Sequence, residues 1–285
     1  MGPLGAVWRT KGPGLSGLSA EHERPPIRRR LRMQAESAWF GDDSCRSAAS
    51  AFTLDRLASI TVVAAVVAAV VQAAVGLANG LLLDHRYSLD PDAEFTIFAW
   101  ASSVATFSAA LAAFLLAAMG RSGRIQLLVL AALTAFYSVD DMLVVHERLT
   151  KKLFVSVVDL PPSIGGRLSA VVYFPLLAGT LILLLLQATR APRRAARLIV
   201  VALGCLAAAV VLELTSGVLD TMGLITFRES ADVVIAMAEE SLELAGWILI
   251  GGALTAILCS RLTEVGFRAG AKVASGRGSD ERTSE

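Results

Sequence analysis

Charged side chains are scarce in this sequence: Asp, Glu, Lys and Arg make up 18% of its 285 residues, where soluble domains carry about 25%. Long stretches hold none, and the ends hold many, which excludes an ordinary soluble globular domain. The net charge of +1 hides that asymmetry and points to no class of partner; no nucleic-acid partner is expected. Cysteine is also rare. Cys45, Cys205 and Cys259 show no CxxC spacing, and two of them lie inside apolar runs, so neither a disulfide framework nor a cysteine metal site is expected. The first 57 residues lack the order of a cleavable secretory signal, which leaves the first apolar run to target the chain.

What is abundant is apolar residues, at 55%, with a mean hydropathy of +0.62. A bilayer core of about 30 Å takes roughly 20 residues of helix, and that window finds six candidates: 58–83, 95–119, 125–147, 168–189, 197–220 and 232–260. The sequence therefore reads as all-α, a polytopic membrane helix bundle with six transmembrane helices over residues 58–260. Residues 1–57 form a basic tail rich in Gly, Pro, Ser and Arg, and residues 261–285 a second tail; both are expected to be disordered. The first two spans read as packing elements. The first is rich in Ala and Val, and the second sets Ser102, Ser103, Thr106 and Ser108 among alanines, small residues that let helices approach closely in lipid. Residues 153–166, with Pro161, Pro162 and two glycines, are too broken for a span and suggest an outer-surface or re-entrant segment.

Orientation follows from the basic residues, which accumulate on the cytoplasmic side. The N-terminal tail, the Gly120–Arg124 turn, the Arg190–Arg197 connection and the C-terminal tail hold 20 of the 26 Lys and Arg residues. Both termini are thus expected to be cytoplasmic, in a multi-pass protein of the inner (plasma) membrane.

The ionisable residues within the spans carry the chemical signal, because a charge at the bilayer centre costs several kcal/mol unless it is paired, hydrated or bound. The third span ends with Asp140, Asp141, His146 and Glu147, the fifth holds Glu213 and Asp220, and the sixth holds Glu239, Glu240 and Glu243. Under the expected topology all of them lie in the outer half. Asp140, Glu213 and Glu240 each sit about 10 Å below the outer end of their helix, so three helices present carboxylates at matched depth. His146 lies about 120° around its helix from Asp140 and would join the same site from a flank. Tyr137, one turn before Asp140 and Asp141, could orient either carboxylate. Trp100 and Trp247 read as packing or interfacial aromatics.

Several like charges in a low-dielectric pocket cannot all ionise unaided. One solution is a divalent metal such as Zn, Mn, Fe or Ca, held by Asp140, Glu213, Glu240 and Glu243 with His146 as a further ligand. Protonated carboxylates or a proton relay is a second, and structural ion pairs a third. The third-span pattern D-D-x4-H-E, followed by a late E-E-x2-E, resembles a group of bacterial multispan membrane proteins of unknown function that carry D-E-x4-H-E and E-x2-E. That resemblance covers about residues 130–250 and implies no activity. Known membrane hydrolases differ: the ceramidase-like enzymes use three histidines, whereas one histidine here falls in a span. The CAAX-type glutamic proteases need an arginine where Leu244 stands.

The inner halves of the spans hold almost nothing polar beyond Gln126, Gln187 and Thr255, so no permeation path is visible. The expected function is a metal-dependent enzyme acting on a membrane lipid or other amphiphile at an outward-facing site, with Glu147 or Glu239 as acid/base. The alternatives are a divalent-cation or proton-coupled transporter, and a non-catalytic assembly or sensor subunit.

Overall fold

The computed structural model describes residues 27–83, 86–89, 96–120, 123–143, 145, 148, 152, 169–222 and 230–280. Among these there are six α-helices and no strand: α1 (Ile27–Leu82), α2 (Ile97–Met119), α3 (Arg124–Leu143), α4 (Ser169–Arg190), α5 (Arg193–Thr221) and α6 (Ser230–Asp280). Met1–Ser47 and Ala48–Glu285 form two compact units, and the packing below belongs to the second. Helix α1 begins inside the segment 1–57 that composition assigned to a disordered tail, and α6 runs on past residue 260. The segment 153–166 lies outside the described residues.

Five stretches are long and apolar enough to cross a membrane: Leu54–Gly80, Ile97–Met119, Arg124–Leu143, Arg193–Ser216 and Val233–Val265. A shorter apolar helix, Phe174–Arg190, accompanies them. The exposed faces support the same reading. On α1 the outward residues include Ile60, Val63, Val66, Val67 and Val70, while the buried ones include Thr61, Gln72 and Asn79. Water would favour the opposite arrangement, because large apolar patches are costly to hydrate. A helix that turns its branched aliphatics outward and its small and polar residues inward is packed for lipid. The apolar helices therefore suit a multi-pass membrane protein.

Helix α6 is the centre of the bundle. Some 56% of its apolar window is buried, against 22% for the first span. Glycines allow the close approaches around it. Gly252 faces Thr61 of α1, Gly76 of α1 faces Met237, Gly246 faces Leu206 of α5, and Gly251 lies against the Ala109 backbone of α2. At Gly252 and Gly76 a Cβ would overlap the side chain opposite. These contacts make α1 antiparallel to α6. Between α2 and α3, Ser103 Oγ donates to the Ser138 carbonyl at 2.7 Å and Ser138 Oγ to the Ser103 carbonyl at 2.9 Å, which fixes that antiparallel pair. Helices α3 and α4 are tied by Arg190 with Gln126 near one end and by Tyr137 with Thr180 further along.

Connections between helices are closed by side chains. Asn79 Nδ2 donates to the Arg86 carbonyl at 3.1 Å and the Arg86 N–H donates to Asn79 Oδ1 at 2.8 Å, satisfying both backbone groups of a residue in the loop after α1. Thr96 caps α2 by accepting from the Ala99 N–H. At the α2–α3 turn Gly123 has φ of 71°, a left-handed conformation that favours glycine. The bundle thus has a basic end, where that turn and the α4–α5 connection lie, and an acidic end opposite.

Candidate functional site

The contacts between helices set the level of each carboxylate. Pairing Ser103 with Ser138 places Asp140 of α3 opposite Ala101 of α2. The contact of Ala109 with Gly251, in helices running the same way, then brings Ala101 level with Glu243 of α6. Asp140 therefore shares a level with Glu243, one turn along from the Glu240 expected from depth alone. The ring contact between Tyr137 and Trp247, with centroids 6.0 Å apart, supports the same alignment.

Asp140 is 3% exposed and lies one turn from Tyr137 on α3. The Tyr137 phenol receives a hydrogen bond from Thr180 Oγ1 of α4 at 3.4 Å. Trp247 stacks obliquely on Tyr137 and donates its indole N–H to Glu243 Oε1 at 3.2 Å. Glu213 lies on α5, the helix that packs against α6 through Leu206 and Gly246. A chain of contacts thus runs from α4 and α3 through two aromatic rings to Glu243 of α6. Glu213 starts nearer the acidic end of the bundle than Glu243. Side chains lean toward the N-terminus of their own helix, so in this antiparallel pair the two carboxylates lean toward each other.

A second set of polar side chains lies at the same level on the other flank of α6. Gln72, Ser102 and Ser241 are 3%, 2% and 7% exposed, and neither the Gln72 amide atoms nor the two hydroxyls have a hydrogen-bond partner among the described residues. The register set by Thr61 with Gly252 and Gly76 with Met237 puts Gln72 opposite Ser241. Burying such groups unbonded costs roughly 1–3 kcal/mol each. Water can satisfy a polar group of this kind, and buried water usually does so.

Of the residues singled out from sequence, Glu243 is bonded to Trp247 beside the Tyr137 ring, and Asp140 is buried one turn from Tyr137 on α3. Glu239 and Glu240 are half-buried on α6 beside them. Glu213 is largely exposed. Among the described residues, no group of three His, Cys, Asp or Glu side chains is placed to hold a metal ion. His146, Glu147 and the Asp220 side chain lie outside the described residues, as do any contacts they make.

Sequence reasoning missed three participants. Trp247 is a hydrogen-bond donor to a carboxylate, beyond its part in packing; its spacing four residues after Glu243 was the available signal. Thr180 left no trace in a run of leucines. Gln72 had a plain one, as a lone amide within an apolar run. No curated protein and no solved structure matches the chain. A family model does match, over residues 57–257, most of the chain and all of the helices that build this site. The chain belongs to the family described as Domain of unknown function (DUF8692).

Proposed function

We propose that this is a six-span protein of the plasma membrane with both termini cytoplasmic, and that its acidic layer binds and releases protons from the outer side, as the working site of a proton-coupled membrane protein. The observation that carries this reading is the bond from the Trp247 indole to Glu243, with the Tyr137 ring beside that indole and the buried Asp140 level with Glu243, inside an apolar bundle. Carboxylates that share a low-dielectric layer cannot all be ionised unaided, so each further one is neutralised by a proton, by a cation or by a basic side chain.

The titratable groups on the elements around Glu243 are Glu239 and Glu240 of α6, Glu213 of α5, and Tyr137, Asp140 and Asp141 of α3. Among the described residues, the α1 and α2 flanks contribute the uncharged Gln72, Ser102 and Ser103. Hydroxyl and amide groups on the flank suit water, which hands protons on, better than they suit a divalent ion that seeks carboxylates.

Because Trp247 donates to Glu243, its fluorescence should report the protonation of that carboxylate. In liposomes the Trp247-dependent emission, obtained by difference from Trp247→Phe, should change with external pH, and Glu243→Gln should abolish the change. Elemental analysis of the purified protein supplies the other arm. Stoichiometric Zn, Mn, Fe or Ca that is lost in Glu243→Gln would replace the proton reading with a metal centre, and with it the hydrolase expected from sequence.

A further inference from the structure

A cavity of about 240 Å³ opens at the basic end of the bundle, where the α2–α3 turn, the end of α4 and the outgoing part of α6 meet. Its walls are of two kinds. Leu116, Met119, Leu127 and Ile257 are apolar, while Arg190 and Arg261 bring guanidinium groups to the same space. Neither arginine is in an ion pair among the described residues. The neighbouring Arg194, by contrast, is paired with Asp55.

Arg190 is positioned by the fold. Its Nη1 donates to Gln126 Oε1 at 2.6 Å, and it lies across the turn at Gly123, where a Cβ would stand 3.2 Å from that same nitrogen. A residue with a side chain at this left-handed position would be strained and would also crowd the guanidinium. Gln126 occupies one face of the fork, and the guanidinium retains further donors. Glu264 also reaches the cavity, leaving two positive charges against one negative.

We infer that this cavity binds the phosphate-bearing headgroup of an anionic phospholipid from the cytoplasmic leaflet, with the first part of an acyl chain along the Leu116, Met119 and Ile257 wall. Three features select that occupant. Guanidinium groups match phosphate oxygens in charge and geometry. The apolar wall matches hydrocarbon, which a free anion would leave unused. The position is the end of the bundle that gathers the chain's basic residues, where basic pockets between spanning helices meet anionic headgroups. The inference rests on the membrane reading for the level of the cavity and is independent of the acidic layer.

The test uses full-length protein in nanodiscs of phosphatidylcholine alone and in nanodiscs with about a third phosphatidylglycerol. Thermal unfolding of the wild type should shift upward by roughly 5 °C in the anionic discs, because a ligand bound only by the folded state stabilises it. The shift should vanish in Arg190→Gln/Arg261→Gln and persist in Arg124→Gln, which removes an exposed charge at the same end but outside the cavity. Native mass spectrometry should show phosphatidylglycerol retained on the wild type and reduced at least about tenfold in Arg261→Gln. Met119→Trp should also lose it by filling the cavity, with both arginines left in place.

Absence of the shift in the wild type, or its survival in the double variant, would overturn the inference. A full shift produced by soluble glycerol phosphate in phosphatidylcholine discs would also overturn the lipid occupant, in favour of a free anion. Should the double variant not fold, the mass-spectrometric comparison of wild type, Arg261→Gln and Met119→Trp decides. Equal lipid retention by all three rejects the site. None of these outcomes bears on the Trp247 titration, so the two readings fail separately.

Discussion

Trp247 and Glu243 stand one turn apart on α6, the indole N–H donating to the carboxylate at 3.2 Å, and this bond joins the aromatic pair to the acidic layer. It holds Glu243 toward Trp247 and Tyr137, where Asp140 lies level with it. On the opposite flank of the same helix, Ser241 meets the level of Gln72. The central helix therefore carries polar groups on two sides within about one turn, in a segment whose neighbours are apolar.

The bond makes a quantitative prediction. Trp247→Phe should destabilise the protein by about 1–2 kcal/mol, since it removes the donor and leaves a carboxylate oxygen without it. Glu243→Gln should cost less, because the amide oxygen can still accept from the indole. Trp247→Phe combined with Glu243→Leu, which removes the acceptor, should fall short of additivity by about 0.5–1 kcal/mol, the signature of a direct interaction. Denaturant unfolding in detergent micelles measures all three. Strict additivity would mean that the bond contributes nothing in the folded protein.

The two glycine contacts of α1 should differ in sensitivity. At Gly76 a Cβ would meet the Met237 thioether, the far end of a flexible chain that can swing aside. At Gly252 it would meet Thr61, whose own Cβ would be 2.8 Å away and whose hydroxyl is engaged with the Leu57 carbonyl. A β-branched side chain in a helix has little freedom to move. Gly252→Ala should therefore cost about 1–3 kcal/mol, and Gly76→Ala distinctly less. Thermal unfolding of the pair checks the order, and a reversed order would show that α1 does not seat on α6 through Thr61.

Much of this organisation was legible beforehand, for reasons that differ by level. Hydropathy located the helices because each must present a long apolar surface. The basic residues sorted the two ends. Asp140, Glu213 and Glu243 were legible as individual candidates because ionisable residues are rare in such helices. Their partners were not. Depth counted from helix ends matched Asp140 with Glu240, whereas the Ser103–Ser138 pair and the Ala109–Gly251 contact bring it level with Glu243, because neighbouring helices need not start in one plane. Which residues face one another depends on rotation about each helix axis, and that is set by glycine notches whose partners are distant in sequence. Gln72 shows this best. Its amide stood out in the first span, yet only the register of α1 on α6 gives it a place.

Orientation yields a separate prediction. With Arg194, Arg190 and Arg261 at one end of the bundle, and the carboxylate layer toward the other, both termini should face the cytoplasm. Fusions of a periplasm-active reporter at Met1 and at Glu285 should both be inactive, while a cytoplasm-active reporter should function at each. Activity of the periplasmic reporter at Glu285 would demand an odd number of crossings and would remove the shorter apolar helix Phe174–Arg190 from the spans.

The last prediction concerns the α1–α6 seam itself. Thr61 against Gly252 and Gly76 against Met237 define a register in which Gln72 and Ser241 share a level on facing stripes. In a background in which Cys45, Cys205 and Cys259 are replaced by alanine, Gln72→Cys/Ser241→Cys should form a disulfide on mild oxidation, because facing positions of closely packed helices fall within the range that a disulfide spans. Val71→Cys/Ser241→Cys should not, since Val71 is 55% exposed and points away from the bundle. Removing the amide without cross-linking is informative as well. Gln72→Leu replaces two buried, unbonded polar atoms with an apolar group of similar size, so it should be neutral or stabilising if Gln72 serves only to pack. If instead Gln72 holds water that serves the acidic layer, the same change should leave stability nearly unaltered and slow the response of Trp247 fluorescence to a pH jump by roughly fivefold. Cross-linking at Val71 in place of Gln72 would turn α1 about its axis by some 100° and dissolve the flank.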